Sequence, residues 1–161
     1  MVNDKNQAII DYLNQCDAVR NTPLFFNFAN AKNNDVQIVA EGNDISLNNK
    51  FVDGSVLKQY TFNLLVYKAI SYDPVVAVAG YPNENVDDVF EVQAILDWVN
   101  AQNDAENFPD FGYDCVVDSI EALTTNPAMN GVNASVNPPL ATYNITIRIT
   151  YLDKSKAIWN K

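Results

Sequence analysis

The chain has 161 residues, with 20 acidic against 10 basic side chains and no histidine, for a formal net charge of -10. Its 48% hydrophobic content is too high for a disordered chain and ordinary for one folded domain, and its few scattered Lys and Arg argue against nucleic-acid binding by phosphate neutralisation. No apolar run approaches the roughly 20 residues needed to span a bilayer, and MVNDKNQAIIDYLNQ lacks the basic and apolar regions of a secretory signal. The expectation is one soluble domain over residues 1–161, made in a cytoplasm, with Cys16 and Cys115 reduced.

In chain order, residues 3–20 predict an amphipathic helix, because Ala8, Ile9, Tyr12, Leu13, Cys16 and Val19 recur at helical spacing. Asn21-Thr22-Pro23 ends it, since the residue before proline avoids helical dihedrals. LFFNF (24–28) is a short apolar run expected to pack on or pair weakly with a sheet. VQIVA (36–40) alternates as a strand, and EGNDISLNNK reads as a loop. In FVDGSVLKQYTF (51–62) the Asp53-Gly54 pair predicts a two-residue hairpin turn with positive φ. The strand that follows puts Tyr60, Phe62, Leu64, Val66 and Ile70 on one face, interrupted only by Lys68. Gln59, Thr61, Asn63, Tyr67 and Ala69 fall on the other.

After the loop YDPVVAVAGYPN, residues 85–102 predict a helix with Asn85 as N-cap. Asp87, Asp88 and Glu91 sit in its first turns, where the helix dipole favours negative charge. Its apolar stripe is Val86, Val89, Val92, Leu96 and Val99, widened by Phe90, Ile95 and Trp98. DCVVDSIEAL (114–123) reads as a strand, residues 124–139 as a long connection, and LATYNITIRITYL as a final strand alternating Tyr143, Ile145, Ile147, Ile149 and Tyr151 with polar residues. The predicted fold is α+β: two helices packed on an antiparallel sheet, in the order helix, two or three strands, helix, two strands, with long β-ribbon extensions.

Chemistry is hard to place on this chain. Without histidine there is no Ser-His-Asp or Cys-His arrangement, and two distant cysteines make no zinc site. Phosphate-binding glycine motifs are absent. Ser55-Val56-Leu57-Lys58 has S-x-x-K spacing, but at a strand start its two functional groups point to opposite faces, and the companion motifs are missing. Asp104, Glu106, Asp110 and Asp114 lack calcium-loop spacing. No catalytic, cofactor-binding or metal-binding residue is expected, and no enzyme. What remains is surface. The 124–139 connection is longer than a hairpin needs, and connections of that length are often functional. Asn126, Pro127, Met129, Asn130, Gly131, Val132 and Asn137 are therefore candidate contact residues: the stretch from Asn126 to Asn137 is expected to be an arm that orders on assembly, the alternative being a solvated loop with no partner. Tyr67 joins them as an aromatic on the more polar sheet face.

FVDGSVLKQYTFNLLVYKAISY resembles the hairpin and long central strand of the tail terminator (tail-completion) proteins of long-tailed phages and phage-tail-like particles. IEALTTNPAMNGVN followed by ATYNITIRITYLDKS is similar to that family's closing ribbon, and DWVNAQNDAENFPDF to the end of its helix. The resemblance covers roughly residues 36–153. It implies a virion structural protein of α+β fold, present in the host cytoplasm during assembly. Such a protein forms a hexameric ring that caps the tail tube, stops its polymerisation and docks the head–tail connector. The implied partners are further copies of the chain, the tail tube protein, the connector and, in contractile tails, a sheath. DNA would pass through the lumen without specific binding, and no membrane or cofactor is involved. The alternatives are another neck or connector ring, and a cytosolic binding module unrelated to phage.

Overall fold

The computed structural model describes residues 4–20, 22–27, 32–41, 45–70 and 84–158; the expected loop YDPVVAVAGYPN lies outside them. The described elements are α1 (Lys5–Leu13), α2 (Asp17–Arg20), β1 (Leu24–Phe26), β2 (Val36–Ala40), β3 (Ile45–Lys50), β4 (Val56–Ala69), α3 (Glu84–Asp104), β5 (Cys115–Ala122), β6 (Ala128–Asn133) and β7 (Leu140–Asp153). The fold is α+β, with seven strands in one sheet and the helices packed on one face.

The sheet is organised around β4 and β7. Each is 14 residues long, and they pair antiparallel without a break from Val56↔Asp153 to Ala69↔Leu140. At about 3.4 Å per residue this ribbon is roughly 44 Å long. Four shorter strands flank it in halves. β3 lies on the first half of β4 and β2 on the second, while β6 lies on the first half of β7 and β5 on the second. β1 extends the sheet beyond β2 in parallel orientation, so LFFNF does contribute a short strand and the sheet is not wholly antiparallel.

Strict alternation explains the ribbon. Tyr60, Phe62, Leu64 and Val66 of β4 and Tyr143, Ile145, Ile147, Ile149 and Tyr151 of β7 are all buried under the helices. Burying each such side chain is worth about 1.5–3 kcal/mol. The intervening Thr61, Asn63, Thr146, Arg148 and Thr150 lie on the other face and remain partly exposed. There Thr146 Oγ1 donates to Asn63 Oδ1 at 2.6 Å and Asn63 Nδ2 to Glu41 Oε1 at 3.0 Å.

Several local expectations are corrected. The N-terminal helix is broken in two. Gln15 N bonds to Tyr12 O and Cys16 N to Leu13 O, tightening the chain before α2 restarts. Ile9, Tyr12, Leu13, Cys16 and Val19 are buried on both sides of the break, so helical spacing alone could not reveal it. α3 begins at Glu84 rather than after an Asn85 cap. Val92, Ile95, Leu96 and Val99 are buried, but Phe90 is 67% exposed. At 100° per residue it stands nearly opposite Val92. ISLNNK is a strand and not a loop; its Asn content and irregular register with β4 hide it.

The Asp53-Gly54 turn is also not a two-residue one. Pairing stops at Lys50↔Val56, and of the turn residues only Gly54 has positive φ, at 91°. Gly54 N donates to Phe51 O at 2.9 Å and Phe51 N to Ser55 O at 2.8 Å. This is a longer loop that closes on a left-handed glycine. Asp53 Oδ1 accepts from both Ser55 N and Ser55 Oγ, and Lys58 Nζ pairs with Asp153 Oδ2 at 2.7 Å.

Candidate interaction surface

The connection read as a loop contains β6. Ala128 to Asn133 pairs with β7 residues Asn144 to Leu140, so residues 126–144 form a second, short ribbon at one end of the long one. Its tip is shaped locally. Asn133 Oδ1 accepts from Ser135 N at 3.1 Å and Ser135 Oγ at 2.6 Å, an Asx turn. The return is anchored where Ile70 N donates to Pro139 O at 2.9 Å. Every residue from Met129 to Pro138 is exposed.

A bulge gives this arm its apolar side. The register shifts between Met129↔Tyr143 and Gly131↔Thr142, leaving Asn130 as the extra residue. Residues three apart on a regular strand point to opposite faces. With the bulge, Met129 and Val132 share the face of their partners Tyr143 and Ala141. Tyr143 and Ala141 are buried, whereas Met129 and Val132 remain 55% and 42% exposed. A Cβ at Gly131 would meet nothing within 4 Å, so the middle of the strand is open.

Charge sets the arm apart. From Ala122 to Ile147 the chain has no charged residue, in a protein with net charge -10. β6 is also the least protected of the flanking strands. β5 carries Asp118 and Glu121 and is irregular beside Asp118, β1 has three residues, and β3 ends in Lys50. Charges, shortness and bulges discourage edge pairing; of these β6 has only the bulge.

The structure therefore gathers Asn126, Pro127, Met129, Asn130, Gly131, Val132 and Asn137 on one projection. Tyr67 is in the same transverse row: it pairs with Thr142, and Thr142 with Gly131. Its hydroxyl, however, donates to Gln37 Oε1 at 2.8 Å. Burial first, and the nearby Asp35 carboxylate second, push the Tyr67 phenol pKa up. Tyr67 is tied into its own sheet.

Two features escaped sequence reading. Lys68, on the apolar face, is only 5% exposed and forms an ion pair with Glu91 of α3, while its Nζ donates to Asn34 Oδ1 at 2.8 Å. Glu91 is thus a tether between helix and sheet rather than only a helix-start charge. The pair borders a cleft of about 290 Å³ that Thr22, Val36, Val66 and Ile95 also line. The visible signal was the lysine interrupting an apolar alternation.

The second feature is the far end of the long ribbon, where Phe51, Val52, Tyr113, Val116 and Ile158 are exposed. The chain after β7 folds back on the hairpin turn there. Ile158 N donates to Asp53 O at 2.7 Å and Lys154 N to Asp114 O at 2.7 Å. Lys50, Lys58, Lys154 and Lys156 balance Asp53, Asp114 and Asp153 at this end. By contrast, α3 carries six acidic residues and no basic one.

Among the described residues, no cluster of three or more His, Cys, Asp or Glu side chains could hold a metal ion. No described helix is long and apolar enough to cross a membrane. No protein-family model matches the chain, and no curated protein matches it either.

Proposed function

We propose that the chain is a phage tail terminator, a virion structural subunit whose hexameric ring caps the head-proximal end of the tail tube. The observation that carries this reading is the uncharged, exposed β6–β7 arm at one end of the long ribbon. A subunit that repels its own copies through its net charge needs a neutral surface on which to meet them or the tube. The resemblance to tail terminators in the hairpin, the central strand and the closing ribbon supports the same conclusion. In this role the ring stops tube polymerisation and presents its other side to the head–tail connector. The carboxylates of α3 suit a wall that DNA passes without adhering.

The test is tail length by electron microscopy in lysates with and without the gene. Overlong, headless tubes on deletion, returned to uniform length when the protein is restored, are the expected result. Tails of normal length that fail to join heads reassign the ring to the neck. Unaffected particles overturn both assignments.

A further inference from the structure

We infer that neighbouring copies of this chain join head to tail, the β6 arm of one seated against the Phe51–Val52–Ile158 tip of the next. The inference deepens the ring reading and rests on it.

Three observations lead there. Among the described residues, the exposed large apolar side chains other than Phe90 and Leu123 collect at the two ends of the β4–β7 ribbon. Met129, Val132 and Val136 lie at one end, and Phe51, Val52, Tyr113, Val116 and Ile158 at the other. The residues that form the two ends carry little net charge themselves. The arm itself carries no charge, the first turns of α3 lie beside it where Glu91 pairs with Lys68, and the far tip sets Lys50, Lys154 and Lys156 against Asp53 and Asp114. For copies that each carry -10, contact of arm with tip sets the α3 carboxylates of one copy toward the lysine-bearing tip of the next rather than toward its α3. Finally, the two ends differ in shape and sequence. An isologous contact of β6 with β6 would stop at a dimer and leave the Phe51–Val52 tip uncovered. Contact between unlike ends uses both patches and continues from copy to copy, closing into a ring when the rotation per step allows. Among the described residues no strand pairs with the outer edge of β6, and that edge adds backbone hydrogen bonding to the apolar contact.

Cysteine cross-linking tests this on the full chain. Val52 and Met129 are both exposed, so Val52→Cys and Met129→Cys spare the core, and the native Cys16 and Cys115 are buried. Val56 and Val66, which mark the two ends on β4, are roughly 34 Å apart along the strand, too far for a short bismaleimide to bridge within one copy. The cross-linker is applied to concentrated purified protein and to lysates in which tails assemble. The expected result is a covalent dimer when the two variants are mixed, none with either alone, and a ladder of higher oligomers from V52C/M129C. Adding Val132→Asp abolishes the ladder and leaves the unfolding temperature unchanged. A dimer from M129C alone, or no mixed product in either setting, overturns the head-to-tail contact. The two proposals fail separately. Overlong tails on deletion without a mixed cross-link keep the terminator role and remove this interface. A ladder with unaffected tails keeps the interface and removes the role.

Discussion

Gly54 has φ 91°, and a Cβ on it would stand 2.7 Å from the backbone oxygen of Lys156. Gly54→Ala is therefore opposed twice, by its dihedral and by a neighbour that is backbone, and should destabilise the fold by about 1–3 kcal/mol in urea unfolding. A neutral result would mean that the segment after β7 does not pack on this turn. Lys68 gives a second single-residue test. Glu91 is 61% exposed along its side chain, so its loss costs little by itself, but Glu91→Gln leaves a buried ammonium without a carboxylate. That change should cost about 1–3 kcal/mol, whereas Lys68→Met, which removes the charge together with its need for a partner, should cost less. The reverse order in urea midpoints would contradict the tether. At Asp153 burial pushes the carboxyl pKa up, but hydrogen bonds from Lys58 and Ser155 outweigh it and hold the pKa at about 2, against an ordinary 3.8. A carboxyl that titrates lower when folded contributes stability above its unfolded pKa and loses it as pH falls through the folded one. Asp153→Asn should therefore lower the urea midpoint at neutral pH and flatten its fall between pH 3.8 and about 2.

β6 shows at the scale of an element why some structure was legible and some was not. The long strands announced themselves because Tyr143 through Tyr151 alternate apolar and polar without error, a period with one physical solution beside a core. β6 and β3 carry Asn at positions where β-formers are usual, and they are held by the edge of an already formed ribbon more than by their own propensity. The arm was visible as a long uncharged connection, but not as a strand, and the bulge that aligns Met129 with Val132 has no sequence signature. The Lys68–Glu91 pair was hidden because, although helices were expected on the sheet, the sequence does not say which turn of α3 meets which residue of β4. For β6 itself, amides that point away from β7 should exchange quickly in the isolated subunit and become protected in the assembled particle. Fast exchange in both would remove the arm from any interface.

For the whole molecule, the segregation of charge fixes how association responds to salt. Contacts built from ion pairs weaken as ionic strength rises. In the proposed head-to-tail contact two surfaces poor in net charge meet while the acidic remainder repels, so salt should strengthen self-association. The screening length shortens from about 10 Å at 0.1 M to about 3 Å at 1 M. Sedimentation velocity at the two salt concentrations checks this, and weaker association at high salt would point to an interface of opposite charges. The unbroken pairing of β4 with β7 bears on how such a chain can change over time. Because neighbouring side chains alternate between core and solvent, deletion of one residue at Asn63 would reverse the remainder of the strand, turning Leu64 and Val66 out and Leu65 and Tyr67 in. Length within residues 56–69 and 140–153 can thus change only in steps of two, or at the ends. The stretch from Asn126 to Asn137 has no buried alternation to preserve and is free to gain or lose residues singly. Descendants of this sequence would then keep the parity of the ribbon while the length of the arm drifts.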